Sequence, residues 1–220
     1  MTRIALFLAT NVAIMIVISV VFSLFGLSGT LQSNGVDLDL NALLIISMVV
    51  GTTGSVISLA MSKSMAKRSM GVQVIDQPKN STEEWLVSIV SKQAEKAGIG
   101  MPEVGIFNNP TPNAFATGMN KNNALVAVST GLINAMSKDE VEAVLGHEVS
   151  HVANGDMITM ALMQGVVNTF VYFFASVIGH IVDRVILKNE RGHGIGYFVT
   201  QMLAQVVLSF LASMLVMWFS

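Results

Sequence analysis

The charges of this chain are confined to its middle, and that limits the fold more than any other feature. Between Ser62 and Asp156 lie 8 of the 12 basic and 10 of the 14 acidic residues, and both flanks are nearly uncharged apolar runs. Residues 4–25 and 40–61 precede the charged block, and 157–187 and 195–219 follow it. Each run is long enough to cross a bilayer as a helix. The pattern therefore predicts an α+β membrane protein with four hydrophobic helices, 1–61 carrying two spans, 62–156 a water-facing domain, and 157–220 a hydrophobic hairpin. With no Cys, disulfides and thiolate metal sites are excluded. A net charge of −2 offers nothing that would attract nucleic acid, so no nucleic-acid partner is expected; the expected partner is lipid.

Residues 4–25 are too long for a secretory leader, and Ser28-Gly29-Thr30 is a poor cleavage site, so a retained span is expected. The loop 26–39 holds Asp37 and Asp39 and no Lys or Arg, whereas Lys63, Lys67 and Arg68 follow the second run. The positive-inside rule then puts the charged domain in the cytoplasm. In the second run, Gly51 and Ser55, and Gly54, Ser58 and Ser62, recur four apart, as at close helix contacts in lipid. The second hairpin conflicts with that rule: if it spans, its loop carries Arg184, Lys188 and Arg191 to the far side. A spanning hairpin is expected nonetheless.

In the middle block, Ser81-Thr82-Glu83-Glu84 reads as a capping box, and Trp85, Leu86, Ile89, Val90, Ala94 and Ala97 as a helix face that ends at Gly98. Trp85 reads as core rather than ligand-binding. Strand signals cover 71–75, 102–107, 114–117 and 125–129, with a turn at Asn120–Asn123, predicting a short antiparallel sheet. Asn113, Ala114, Phe115 and Ala116 are candidates for a sheet edge that holds an extended substrate; an ordinary hairpin strand is the competing reading.

The next helix carries the chemistry. Ser137 and Glu140 form a capping box, and Val141, Leu145, Val149 and Val152 make one apolar stripe. His147 and His151 fall roughly 135° from the middle of that stripe on a helical wheel. Four apart, they stack on one face and can share a Zn²⁺, while Glu148 sits beside the metal as a general base. This H-E-x-x-H arrangement is the one on which zinc metalloproteases are built. Asn154-Gly155 stops the helix, and Asp156 can orient a ligand histidine or remain a solvated helix-end carboxylate. Glu142 lies on the wrong side of the helix. His180 and His193 read as hairpin residues, and Gly192–Gly196 follows no strand, which argues against a phosphate loop.

Two stretches, Pro112-Asn113-Ala114-Phe115-Ala116-Thr117-Gly118 and His147-Glu148-Val149-Ser150-His151-Val152-Ala153-Asn154-Gly155-Asp156, set between apolar pairs, resemble the HtpX family of bacterial heat-shock membrane metalloproteases. CAAX prenyl endopeptidases and Oma-type mitochondrial proteases are more distantly similar. The resemblance implies a zincin-like (gluzincin) domain facing the cytoplasm of a multi-pass inner-membrane protein. It implies one catalytic zinc on His147 and His151, Glu148 as base, and cleavage of misfolded or damaged membrane proteins. It also implies a third ligand, a glutamate on a later helix. No such residue precedes Ser220, so that ligand is expected beyond it, in a C-terminally truncated chain of impaired activity. An intramembrane protease and a non-cleaving membrane adaptor are the rival readings. The sequence leaves natural substrates, cleavage preference and oligomeric state open.

Overall fold

A computed structural model of the chain describes residues 2–24, 26–33, 36, 38–189 and 194–219. Asp37, Glu190, Arg191, Gly192 and His193 lie outside the described residues. The chain divides into two compact units, one of Met1–Val56 with Leu162–Ser220, the other of Ile57–Ala161.

The apolar runs are helical: α1 (Thr2–Leu24), α3 (Leu40–Ser69), α7 (Asp156–Ile181) with a π-helical turn at Val182–Ile186, and α8 (Ile195–Phe219). Among the described residues, three helices are long and apolar enough to cross a membrane: Leu40–Ser69, Asp156–Ile186 and Ile195–Met214. The run expected as the first span folds as α1, whose side chains fall partly outside the described residues. The loop expected at 26–39 contains a short helix, α2 (Leu27–Ser33). Ile18, Leu43, Leu44, Phe173 and Val177 pack α1, α3 and α7 together. Gly51 and Ser55 are the small residues that pack: a side chain at Gly51 would meet Thr169 N at 2.6 Å and Gly165 O at 2.9 Å. Gly54, on the other small-residue register, has nothing within 4 Å. Several polar groups in these helices find partners within their own helix or in a neighbouring one, as an apolar medium favours. Ser47 donates to Leu43 O, Thr169 to Gly165 O, and Gln201 to Ser176 Oγ. The buried Asp183 carboxyl accepts from Asn189 Nδ2 and Gly194 N, at the start of α8. His180 bonds Ser176 O and stacks edge-on against Tyr197.

The second unit is built on a four-stranded sheet. Its strands are β1 (Gln73–Val74), β2 (Glu103–Phe107), β3 (Ala114–Asn120) and β4 (Asn123–Ser129), in the order β1-β2-β4-β3. The sheet is mixed, which corrects the antiparallel expectation. β2 runs parallel to β4, with Glu103 opposite Leu125 and Phe107 opposite Ser129. Both other pairings are antiparallel. Residues 108–113, with Pro110 and Pro112, carry the chain from β2 across a one-strand gap, and β4 fills that gap on its return from the β3 hairpin. Leu86, Ile89 and Val90 of α4 (Ser81–Ala97) join Val104, Val126, Val128, Leu132, Val141, Leu145 and Val149 in one core. Phe107, Leu125 and Ala127 form a smaller cluster, packed by Val72 and Phe115. Trp85 packs at the edge of the main core with Lys138 Nζ 5.4 Å from its ring centroid.

Candidate metal centre

The helix that carries the centre, α6 (Lys138–Asn154), is fixed at both ends by local chemistry. Ser137 caps its start, and the Glu140 carboxyl accepts from Ser137 N at 2.8 Å, closing the expected box. The Ser137 backbone N–H, then its hydroxyl, hold the Glu140 carboxyl below the usual carboxylate range. Val141, Leu145, Val149 and Val152 are buried, so the opposite flank of α6 turns away from the core. There His147 is exposed, and Glu148 and His151 are half-buried. At the far end Gly155 adopts φ 68, a left-handed geometry that favours glycine. That one residue breaks the helix, and Asp156 begins α7 immediately.

The break brings Asp156 back under the histidines. Its Oδ2 lies 2.7 Å from His151 Nδ1. His151 Nε2 lies 3.0 Å from His147 Nε2, with the two rings nearly perpendicular at 82°. A carboxylate can only accept, so His151 donates from Nδ1 and turns an Nε2 lone pair outward. Two nitrogens at ~2.0–2.1 Å from a tetrahedral zinc stand roughly 3.3 Å apart, so the spacing and donor types fit two ligands of such an ion. Among the described residues, no third His, Cys, Asp or Glu completes a metal-binding group. Nor does a hydrogen bond or ion pair engage the Glu148 carboxyl among the described residues.

The other candidate residues stand on the sheet beside α6. β3 is an edge strand and α6 packs against it. Ala114, Phe115 and Ala116 pair with Val128, Ala127 and Val126, so their outer side has no strand partner among the described residues. Asn113 precedes the strand, and its carbonyl accepts from Ser129 N at 2.9 Å. Ser129, absent from the sequence-based candidates, is what holds this end. Its fully buried hydroxyl accepts from Asn113 N and Leu132 N and donates to Thr111 O. The only sequence signal was a serine between a strand and Thr130-Gly131, where the short helix α5 (Thr130–Ala135) begins.

Residues 80–220 match the model of peptidase family M48. The whole chain is 64% identical to a protein named Protease HtpX from Pseudoalteromonas atlantica, covering 76% of it. It is equally identical to the Protease HtpX of Thioalkalivibrio sulfidiphilus, covering 75% of that protein. In fold, 89% of the chain resembles half of the crystal structure of S. mikatae Ste24p, at a TM-score of 0.52 and 14% identity. A membrane-type set of apolar helices, an M48 match over most of the length and relatives of this similarity together place the chain in peptidase family M48, among the HtpX membrane metalloproteases.

Proposed function

We propose that the chain acts as a zinc-dependent endopeptidase of the bacterial inner membrane, with the protease domain of residues 62–156 facing the cytoplasm and misfolded or damaged membrane proteins as substrates. The observation that carries the reading is the pair of Nε2 atoms 3.0 Å apart, with Asp156 behind one of them. Zinc held there supplies Lewis acidity to a peptide carbonyl. His147 and His151 present neutral imidazole lone pairs, and Asp156 keeps His151 in the tautomer that does so. Glu148 takes a proton from the attacking water and passes it to the leaving amine. Asn113–Ala116 receive the substrate as an added strand; backbone pairing is nearly blind to side chains and suits broad specificity. A catalytic zinc usually has three protein ligands, and the third comes from outside the described residues.

The rival reading is a proteolytically inactive membrane adaptor. One experiment separates the two. Purified protein is assayed for bound zinc and for casein digestion, with and without chelator, beside Glu148→Gln. The protease reading expects Glu148→Gln to keep its zinc and lose digestion by ~10²-fold or more. Parental digestion by Glu148→Gln sinks the base assignment. Zinc-loaded parental protein that never cuts casein favours the adaptor.

A further inference from the structure

One end of the sheet is tied to the turn of α3 that leaves its apolar stretch. Residues 40–62 carry no charge, and Lys63 is the first charged side chain after them. Its Nζ donates to Asn123 Oδ1 at 2.7 Å and pairs with Glu103 Oε1 at 2.8 Å. Lys67, one turn further, pairs with the other Glu103 oxygen. From Met61 to Lys63 the helix rises only ~3 Å, so the β3–β4 turn lies about one helical turn from the apolar boundary. Asn122 Oδ1 accepts from Gly100 N at 2.9 Å, which draws the loop before β2 to the same level. Beside the exposed amides of Asn120, Asn122 and Asn123, this end exposes two methionines and a lysine. Met101 is 48% and Met119 46% exposed, and Lys121 at the tip makes no ion pair among the described residues. The ladder shifts register between Gly118 and Asn120, which takes Met119 out of the regular pairing.

We infer that this end of the sheet docks on the anionic headgroup surface of the bilayer that α3 enters. Met101 and Met119 insert at the boundary of headgroups and acyl chains, and Lys121 pairs with lipid phosphate. The inference rests on α3 being a membrane span.

The chain has no Cys, so single cysteines carrying a fluorophore report position in this chain reconstituted in vesicles of phosphatidylcholine and phosphatidylglycerol. Quenchers are brominated acyl chains on one side and iodide in water on the other. Val49→Cys, exposed in the apolar stretch of α3, tests the span itself. Thr111→Cys marks the opposite end of the sheet, roughly 20 Å away by strand rise. The expected result is lipid quenching at Val49→Cys and Met119→Cys, iodide quenching at Thr111→Cys, and a roughly fivefold or larger fall in the lipid-quenched population of Met119→Cys when Lys121→Glu is added. Lipid quenching at position 49 without any at 119 overturns the docking while leaving the span intact. No lipid quenching at 49 removes the span, and the docking with it. Equal lipid quenching at 111 and 119, or no response to Lys121→Glu, also overturns the proposal.

Discussion

His151 is held at Nδ1 by a carboxyl that belongs to the next helix. The Asp156 contact at 2.7 Å selects the tautomer that carries its proton on Nδ1 and orients the ring. Asp156→Asn retains the shape and an acceptor but removes the negative charge. Metal affinity in this variant is expected to fall by about 10–100-fold, with the fold retained, measured by competition against a zinc chelator. Unchanged affinity would mean that Asp156 is only a solvated helix-end group. A second carboxyl, Glu103, acts through its pairing with two lysines. Burial pulls the Glu103 carboxyl up, but hydrogen bonds and charge from Lys63 and Lys67 outweigh this and hold it below its ordinary value. The folded state therefore binds this proton less readily than the unfolded state, and the contribution to stability is complete above the ordinary carboxylate range. It is lost as the pH falls through the folded value. Glu103→Gln is expected to be less stable than the parent at neutral pH, with the gap narrowing on acidification, as read by thermal midpoints across the acid range. A gap that stays constant with pH would show that the two lysines contribute no linked stability.

At the scale of elements, what was legible followed from local chemistry, and what was not depended on topology. The α6 boundaries could be read because Ser137, Glu140 and Gly155 specify them within one turn of chain. The start of α4 was off by one residue. Asn80 is its cap, accepting from Glu83 N at 2.9 Å, because asparagine serves as an N-cap as well as serine does. α5 went unread because six residues are too few to show a helical period. The parallel pairing of β2 and β4 is set by where the 108–113 loop crosses, which strand patterns do not encode. The histidine spacing on α6 was legible, but not the latch of Ser129 on Thr111 and Asn113, since its partners are 18 and 16 residues away. The small-residue pattern in α3 named two registers of contact, and the structure uses one of them. Gly51→Val is expected to separate α3 from α7 because its side chain would meet backbone at 2.6 Å, whereas Gly54→Ala meets nothing. In detergent, the thermal midpoint should fall by several degrees for the first and stay near parental for the second. Equal behaviour would mean that the Gly51 contact does not hold these helices together.

Over the whole molecule, the placement of charge governs which side of the membrane each segment occupies. Lys63, Lys67 and Arg68 at the end of α3 favour a cytoplasmic location for the domain that follows. Lys138, Asp139, Glu140 and Glu142 are exposed on α6, and such charges are costly in lipid, which argues against an intramembrane site. The difficulty lies at the other end. If α7 and α8 both cross, Arg184 and Lys188 are carried outside, against the same rule. Arg184 donates to Asn189 O at 2.7 Å, which gives its guanidinium a partner within the loop. Positive charge in a short loop also counts for less once earlier segments have fixed the orientation. A spanning hairpin is therefore the expected outcome. With no native Cys, Asp139→Cys and Leu187→Cys can each be probed with a membrane-impermeant maleimide. Asp139→Cys should react in inverted vesicles and not in intact spheroplasts, and Leu187→Cys, 55% exposed, should do the reverse. Reaction of both from the same side would mean that the hairpin enters the bilayer and returns. The basic loop would then obey the charge rule, and the count of crossings would change while the metal helix stayed where it is.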